Sequence, residues 1–104
     1  MIVKALSEKE GLVRVTFSLP SSVWAERVNL VGEFNGWDTA ATPMLHTRLD
    51  SNWKATVDLR TGRRYRFRYL LDGQEWLNDW HADDHLENPY GSYDSVVDLG
   101  ASGK

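Results

Sequence analysis

The sequence predicts an all-β fold, an antiparallel sandwich or barrel. Three observations point there. Apolar residues recur at every second position in several stretches, turn-forming pairs interrupt them every ~8–12 residues, and the one helix-like window, Ser21–Glu26, is too short to build on. The chain has 104 residues, one domain's worth with a single core.

The elements follow in chain order. In Leu12–Leu19, Val13, Val15, Phe17 and Leu19 share one face while Arg14, Thr16 and Ser18 share the other. Arg27–Phe34 is rich in β-formers (Val28, Leu30, Val31) and runs into the turn pair Asn35-Gly36. Trp53, Ala55, Val57 and Leu59 alternate with Lys54, Thr56 and Asp58, which places the Trp53 indole in the core. Tyr65, Phe67, Tyr69 and Leu71 alternate with Arg64, Arg66, Arg68 and Leu70, and Val96, Val97 and Leu99 predict a last strand. Turns are expected at Pro20-Ser-Ser22, Asp50-Ser-Asn52, Thr61-Gly62, Asp72-Gly73 and Asn88-Pro-Tyr-Gly91. Each sheet should be wetted on its second, polar face. The domain is expected over residues 11–99, with 1–10 and 100–104 as flexible termini.

Composition excludes several classes. Hydrophobic residues make up 41% and charged residues 26%, and five Trp, four Tyr and three Phe supply apolar surface for a core, so the chain is not disordered. Without cysteine there is no disulfide, zinc-thiolate site or thiol chemistry. A net charge of −3 argues against a nucleic-acid partner. Arg60–Arg68 interleaves arginine with aromatics, but the alternation turns the two kinds to opposite faces, and the acidic Asp72–Glu87 stretch is expected to neutralise the arginines across a hairpin. No stretch approaches the ~18–20 apolar residues of a membrane span. The opening MIVKALSEKE reads as neither signal peptide nor anchor. The expected setting is therefore cytoplasmic, with no membrane partner. His81-Ala-Asp-Asp-His85 has imidazoles at metal-chelating spacing, but it lies between a strand and an Asn-Pro turn with no third ligand, and reads as a polar surface loop. No nucleophile elbow, phosphate loop or placeable catalytic triad is present, so no catalytic residue, metal or cofactor is assigned.

The remaining tryptophans carry the functional signal. Trp24 lies in a connection and is expected to cover the core edge. Trp37 follows Asn35-Gly36 and precedes Asp38-Thr39; it is either a lid on the sandwich end or an exposed platform, and the polar turn favours the platform. Trp76 depends on hairpin register. A two-residue turn at Asp72-Gly73 puts it opposite Tyr69 in the core. A three-residue loop Leu71-Asp72-Gly73 puts it outside, opposite Arg68, with Leu77 meeting Phe67 inside, Arg66 opposite Asn78 and Arg64 opposite Trp80. The longer loop is preferred because it buries Leu77 and not Asn78. The outer face then sets guanidinium groups beside indoles, which suits a sugar: C–H groups of a pyranose lie flat on an indole while its hydroxyls meet polar side chains.

Three segments together resemble carbohydrate-binding module family 48. They are Val28-Asn-Leu-Val-Gly-Glu-Phe-Asn-Gly-Trp37-Asp, then Tyr65-Arg-Phe-Arg-Tyr-Leu-Leu-Asp-Gly73 with Trp76-Leu-Asn-Asp79, then Asn88-Pro-Tyr-Gly-Ser-Tyr-Asp-Ser-Val-Val97. The family includes the glycogen-binding domain of the AMP-activated protein kinase β subunit and the early-set domain at the N-terminus of isoamylases and branching enzymes. The resemblance implies an immunoglobulin-like antiparallel β-sandwich of the early-set type that binds α-1,4-linked glucans (glycogen, starch or maltooligosaccharides) without cleaving them. It also implies a carbohydrate site of Trp37 and Trp76 as stacking platforms, Arg68 as the basic residue of the preceding strand, and Tyr90, Ser92 and Asp94 near the C-terminal turn. Asp94 stands where the family usually has asparagine, Tyr90 where it usually has leucine, and the hairpin before Trp76 is one residue longer. In many α-glucan enzymes the same fold has lost these residues and only docks on the catalytic domain. The alternative expectation is thus an interaction module on an α-glucan-processing enzyme or kinase complex.

Overall fold

The computed structural model describes residues 1–7, 9–20, 22–46 and 52–100. Asp50 and Ser51 of one expected turn, and 101–104 of the expected tail, lie outside these. Among the described residues the strands are β1 (Ile2–Leu6), β2 (Leu12–Leu19), β3 (Val28–Gly32), β4 (Leu45–His46), β5 (Trp53–Arg60), β6 (Arg64–Leu71), β7 (Glu75–Leu77), β8 (Asp84–Glu87) and β9 (Tyr93–Asp98), with a 3-10 turn at Glu33–Asn35. One antiparallel sheet has the order β1-β2-β5-β4. The other runs β3-β6-β9-β8, with β7 also paired to β6. The architecture is the predicted β-sandwich.

The alternating apolar positions meet between the sheets. Val15, Phe17 and Leu19 of β2 and Trp53 and Leu59 of β5 pack against Val28 and Leu30 of β3 and Tyr65, Phe67, Tyr69 and Leu71 of β6. The Phe67 ring is the hub, edge-on to Phe17 at 4.9 Å and to Tyr69 at 5.6 Å. Such edge-to-face pairs contribute about 0.5–1.5 kcal/mol each beyond area burial. The Trp53 indole is buried in this core, as its parity predicts.

The structure departs from the sequence reading at several places. Residues 2–6 are not a loose end: β1 pairs along the whole of Leu6 to Ile2 with Val13 to Phe17, and Ile2 packs on the core. Without it, one side of β2 would be a bare edge of unpaired N–H and C=O groups. Trp24 does not cover the core edge. Val23 and Ala25 take the inward positions, and the intervening indole points into solvent, 94% exposed. The outer face of the second sheet is not simply wetted, since Val31, Leu70 and Val96, opposite in parity to the core residues, are buried as well. The His81–His85 stretch is not all loop, because Asp84 and His85 open β8, which pairs with β9.

Two of the three β6 arginines, Arg64 and Arg66, are paired with carboxylates, though not across the β6–β7 hairpin. Arg64 reaches over β9 to Asp84 of β8 at 2.7 Å and to Asp98 of β9 at 3.4 Å. The hydrogen bond from Arg64, then that from the His85 backbone N–H, holds the Asp84 carboxyl below the usual carboxylate range. His85 itself is used internally, its Nε2 lying 2.7 Å from the Asp79 carbonyl oxygen.

Candidate functional site

Two turns and one strand build the site on the outer face of the second sheet. The first turn leaves β3 at Gly32. A Cβ there would lie 2.6 Å from the Arg66 carbonyl oxygen and 2.8 Å from the Phe67 Cβ, so glycine is required for β3 to approach β6. Asn35 then fixes the turn from within. Its Oδ1 accepts from the Gly32 N–H at 3.1 Å, while its Nδ2 donates to the Leu30 carbonyl at 2.9 Å and to Thr42 Oγ1 at 3.1 Å. Gly36 takes φ of 69° and Trp37 φ of 60°, with the Trp37 N–H donating back to the Gly32 carbonyl at 2.9 Å. The chain is thereby bent so that the indole stands out over the sheet, 39% exposed.

Trp76 comes from β7. The observed register pairs Leu71 with Glu75, Leu70 with Trp76 and Tyr69 with Leu77. The loop is therefore Asp72-Gly73-Gln74, one residue later than expected, with φ of 51° at Asp72 and 71° at Gly73. Trp76 faces outward as preferred, but opposite Leu70 rather than Arg68, and Leu77 meets Tyr69 rather than Phe67. A shift of two residues preserves the face because side chains alternate with period two. The expected pairings of Arg66 with Asn78 and Arg64 with Trp80 do not form, since β7 ends at Leu77 and β9 occupies that edge of β6. Arg68 still reaches Trp76 diagonally, its Cζ 5.3 Å from the ring centroid, within cation–π range. The Arg68 Nε is buried and has no hydrogen-bond partner among the described residues.

The third part is the turn before β9. Asn88 Oδ1 accepts from the Tyr90 N–H at 3.0 Å and the Ser92 N–H at 3.1 Å, which curls 88–92 into a compact loop and leaves the Tyr90 ring 89% exposed. Asp94 is buried. Its Oδ1 accepts from Asn88 Nδ2 at 3.1 Å, and its Oδ2 lies 3.4 Å from Arg66 Nη1, which also donates to the Glu87 carbonyl at 3.1 Å. A carboxylate here ties the loop to β6 through an ion pair that an asparagine amide could not make.

These parts enclose one open cavity of about 730 Å³, within the size range of small-ligand sites. Trp37, Arg68, Trp76, Tyr90 and Asp94 all line it; Ser92 does not. Glu33, Thr39, Arg66 and Asn88 line it too and were not picked out from the sequence. Arg66 had a legible signal, the parity it shares with Arg68. Glu33 had none, because its place depends on its Oε1 accepting the Arg66 backbone N–H from another strand, at 2.7 Å. The cavity is rimmed by indole and phenol rings with both signs of charge at its base, so it offers flat apolar faces beside donors and acceptors.

The chain matches the family described as carbohydrate-binding module 48 (isoamylase N-terminal domain) over residues 6–90. It belongs to that family. The module is similar to the 1,4-alpha-glucan branching enzyme GlgB of Pseudomonas aeruginosa, 36% identical over 81 residues, which is 75% of this chain and 10% of that protein. It is also similar to GlgB of Methylococcus capsulatus, 38% identical over 69 residues, 64% of this chain and 8% of that protein. The module thus spans about a tenth of the length of these branching enzymes. Among solved structures it is similar in fold to ferric enterobactin esterase from Salmonella typhimurium, with a TM-score of 0.75 over 99% of this chain and 35% of that one, at 11% identity. As a family 48 module it is a non-catalytic carbohydrate-binding domain. Among the described residues no helix is long and apolar enough to cross a membrane.

Proposed function

We propose that this module binds α-1,4-linked glucans, such as glycogen, starch or maltooligosaccharides, by stacking glucose rings on Trp37 and Trp76. The observation that carries the reading is that both indoles and Arg68, 37 to 76 in sequence, line one cavity on one sheet face. The similarity to enzymes that act on 1,4-alpha-glucan supports the choice of sugar. Arg68 donates to sugar hydroxyls beside the Trp76 ring, and Tyr90 packs against the glucan from the C-terminal turn. Ser92 and Asp94 act on the shape of that turn: one holds it by its backbone, the other by its carboxylate. Each stacked ring contributes about 0.5–1.5 kcal/mol beyond area burial, so affinity rests on several contacts made together. The test is a maltoheptaose titration followed by tryptophan fluorescence and by indole N–H resonances. Binding should saturate, and Trp37→Ala should weaken it about tenfold, roughly 1.4 kcal/mol, in a domain that remains folded. No response at ~10 mM sugar overturns the reading.

A second reading has its own observation. Trp24 and Trp80 are 94% and 83% exposed and line no part of the cavity above. Contiguous exposed apolar patches mark contact surfaces, and on this reading each indole anchors a protein contact, such as docking on an α-glucan-processing enzyme. It predicts that Trp24→Ser and Trp80→Ser abolish co-purification with such an enzyme while leaving maltoheptaose binding intact.

A further inference from the structure

A second cavity, of about 490 Å³, opens beside the first on the same face, and Trp76 and Thr39 line both. Its other walls include Leu70 below and Arg27, Asn29 and Gln74 at the rim. In the first cavity the polar groups are largely committed to one another: Asp94 to Arg66 and Asn88, and Glu33 to the Arg66 backbone. In the second, the side chains of Arg27, Asn29 and Gln74 make no hydrogen bond or ion pair to any described residue. Their positions are nonetheless fixed. Asn29 sits within β3, bridged to Pro43. Asp72 Oδ1 accepts from the Arg27 N–H at 3.0 Å, and the Arg27 carbonyl accepts from the Asp72 N–H at 2.9 Å. Gln74 is held at the hairpin, its N–H donating to the Leu71 carbonyl at 2.9 Å.

Resting on the saccharide reading above, we infer that the glucan chain does not end on Trp76 but passes beside it into this second trough. There Arg27, Asn29 and Gln74 take the hydroxyls of further glucose units. A guanidinium and two amides supply donors and acceptors together, which is what a rim of hydroxyls needs, and none has to break a hydrogen bond to another described residue to do so. The ligand class is therefore an α-1,4-glucan long enough to span both cavities, and a short maltooligosaccharide fills only the first.

The test compares maltotriose with maltoheptaose on the same protein. Maltoheptaose should bind about tenfold more tightly, the gain expected from a few added hydrogen bonds. The side-chain amide resonances of Asn29 and Gln74 should shift with maltoheptaose and not with maltotriose, whereas the Trp37 and Trp76 indole resonances shift with both. Gln74→Ala should narrow the affinity gap between the two sugars about threefold or more. Equal affinities, unmoved Asn29 and Gln74 amides, or an unchanged gap in Gln74→Ala overturns the second trough while the first site stands. Unmoved indoles with either sugar overturn both.

Discussion

Trp37 holds a backbone conformation that favours glycine, φ of 60°, in a turn whose neighbouring Gly36 is also left-handed. For a bulky residue that conformation costs roughly 1–2 kcal/mol. The Asn35 hydrogen bonds to Gly32, Leu30 and Thr42 offset it and leave the indole standing over the sheet. A comparison of two variants tests the strain directly. Trp37→Gly should be about 1 kcal/mol more stable to urea than Trp37→Ala, because glycine is relaxed at this φ and alanine is not. Both should lose most of the saccharide response. Equal stabilities would mean that the backbone relaxes once the indole is gone. At the same scale, the carboxylate at 94 is legible as a departure from the family's amide. Its use as an ion-pair partner for Arg66 is not, since that depends on β6 and β9 lying side by side.

At the scale of elements, the β6–β7 hairpin does most to place the site. Asp72 serves it twice. Asp72 tolerates the left-handed φ of 51°, and its Oδ1 accepts from the backbone N–H groups of Glu26 at 2.8 Å and Arg27 at 3.0 Å, so the loop is tied to the start of β3. Asp72→Ala removes both bonds and leaves a strained residue. It should cost about 1–2 kcal/mol of stability, measured by urea denaturation, and should weaken glucan binding by freeing Trp76 to move. Unchanged binding in a destabilised protein would show that β7 is held by its strand pairing alone. The outward face of Trp76 was legible from alternation and the placement of Leu77. The register was not, because a loop ending at Gly73 and one ending at Gln74 put the same residues on the same faces; only the pairing of Leu71 with Glu75 separates them.

Across the whole molecule, a buried polar network joins β6, the segment after β7, and β9. Tyr69 Oη donates to Asp79 Oδ2 at 2.8 Å, the Asp79 N–H donates to Ser95 Oγ at 2.8 Å, and Ser95 Oγ donates to Asn78 Oδ1 at 2.9 Å. Burial, then the charge of Asp79 and its hydrogen bond, pushes the Tyr69 phenol well above its ordinary pKa of 10.0. The unfolded chain would release that proton near pH 10 while the fold retains it, so the contribution is complete below pH 10 and is lost as pH rises toward the folded value. Above pH 10 the native protein should lose stability more steeply than Tyr69→Phe, by up to about 1.4 kcal/mol per pH unit. Urea midpoints measured across that range check it, and parallel pH profiles would refute it.

The alternation of apolar and polar residues by itself determined the all-β class, the strands β2, β5 and β6, and the burial of Trp53, and the run of β-formers before Asn35-Gly36 determined β3, because both are local properties of the chain. The order of motifs likewise marked Trp37, Arg68 and Trp76. What only the tertiary structure decided was the company these residues keep: β1 along β2, Glu33 and Arg66 in the cavity, Asp94 engaged inward, Trp24 turned outward, and the second trough beside Trp76. Each of these depends on contacts between segments far apart in the chain, and the local pattern of any one segment holds no information about which partner it will meet.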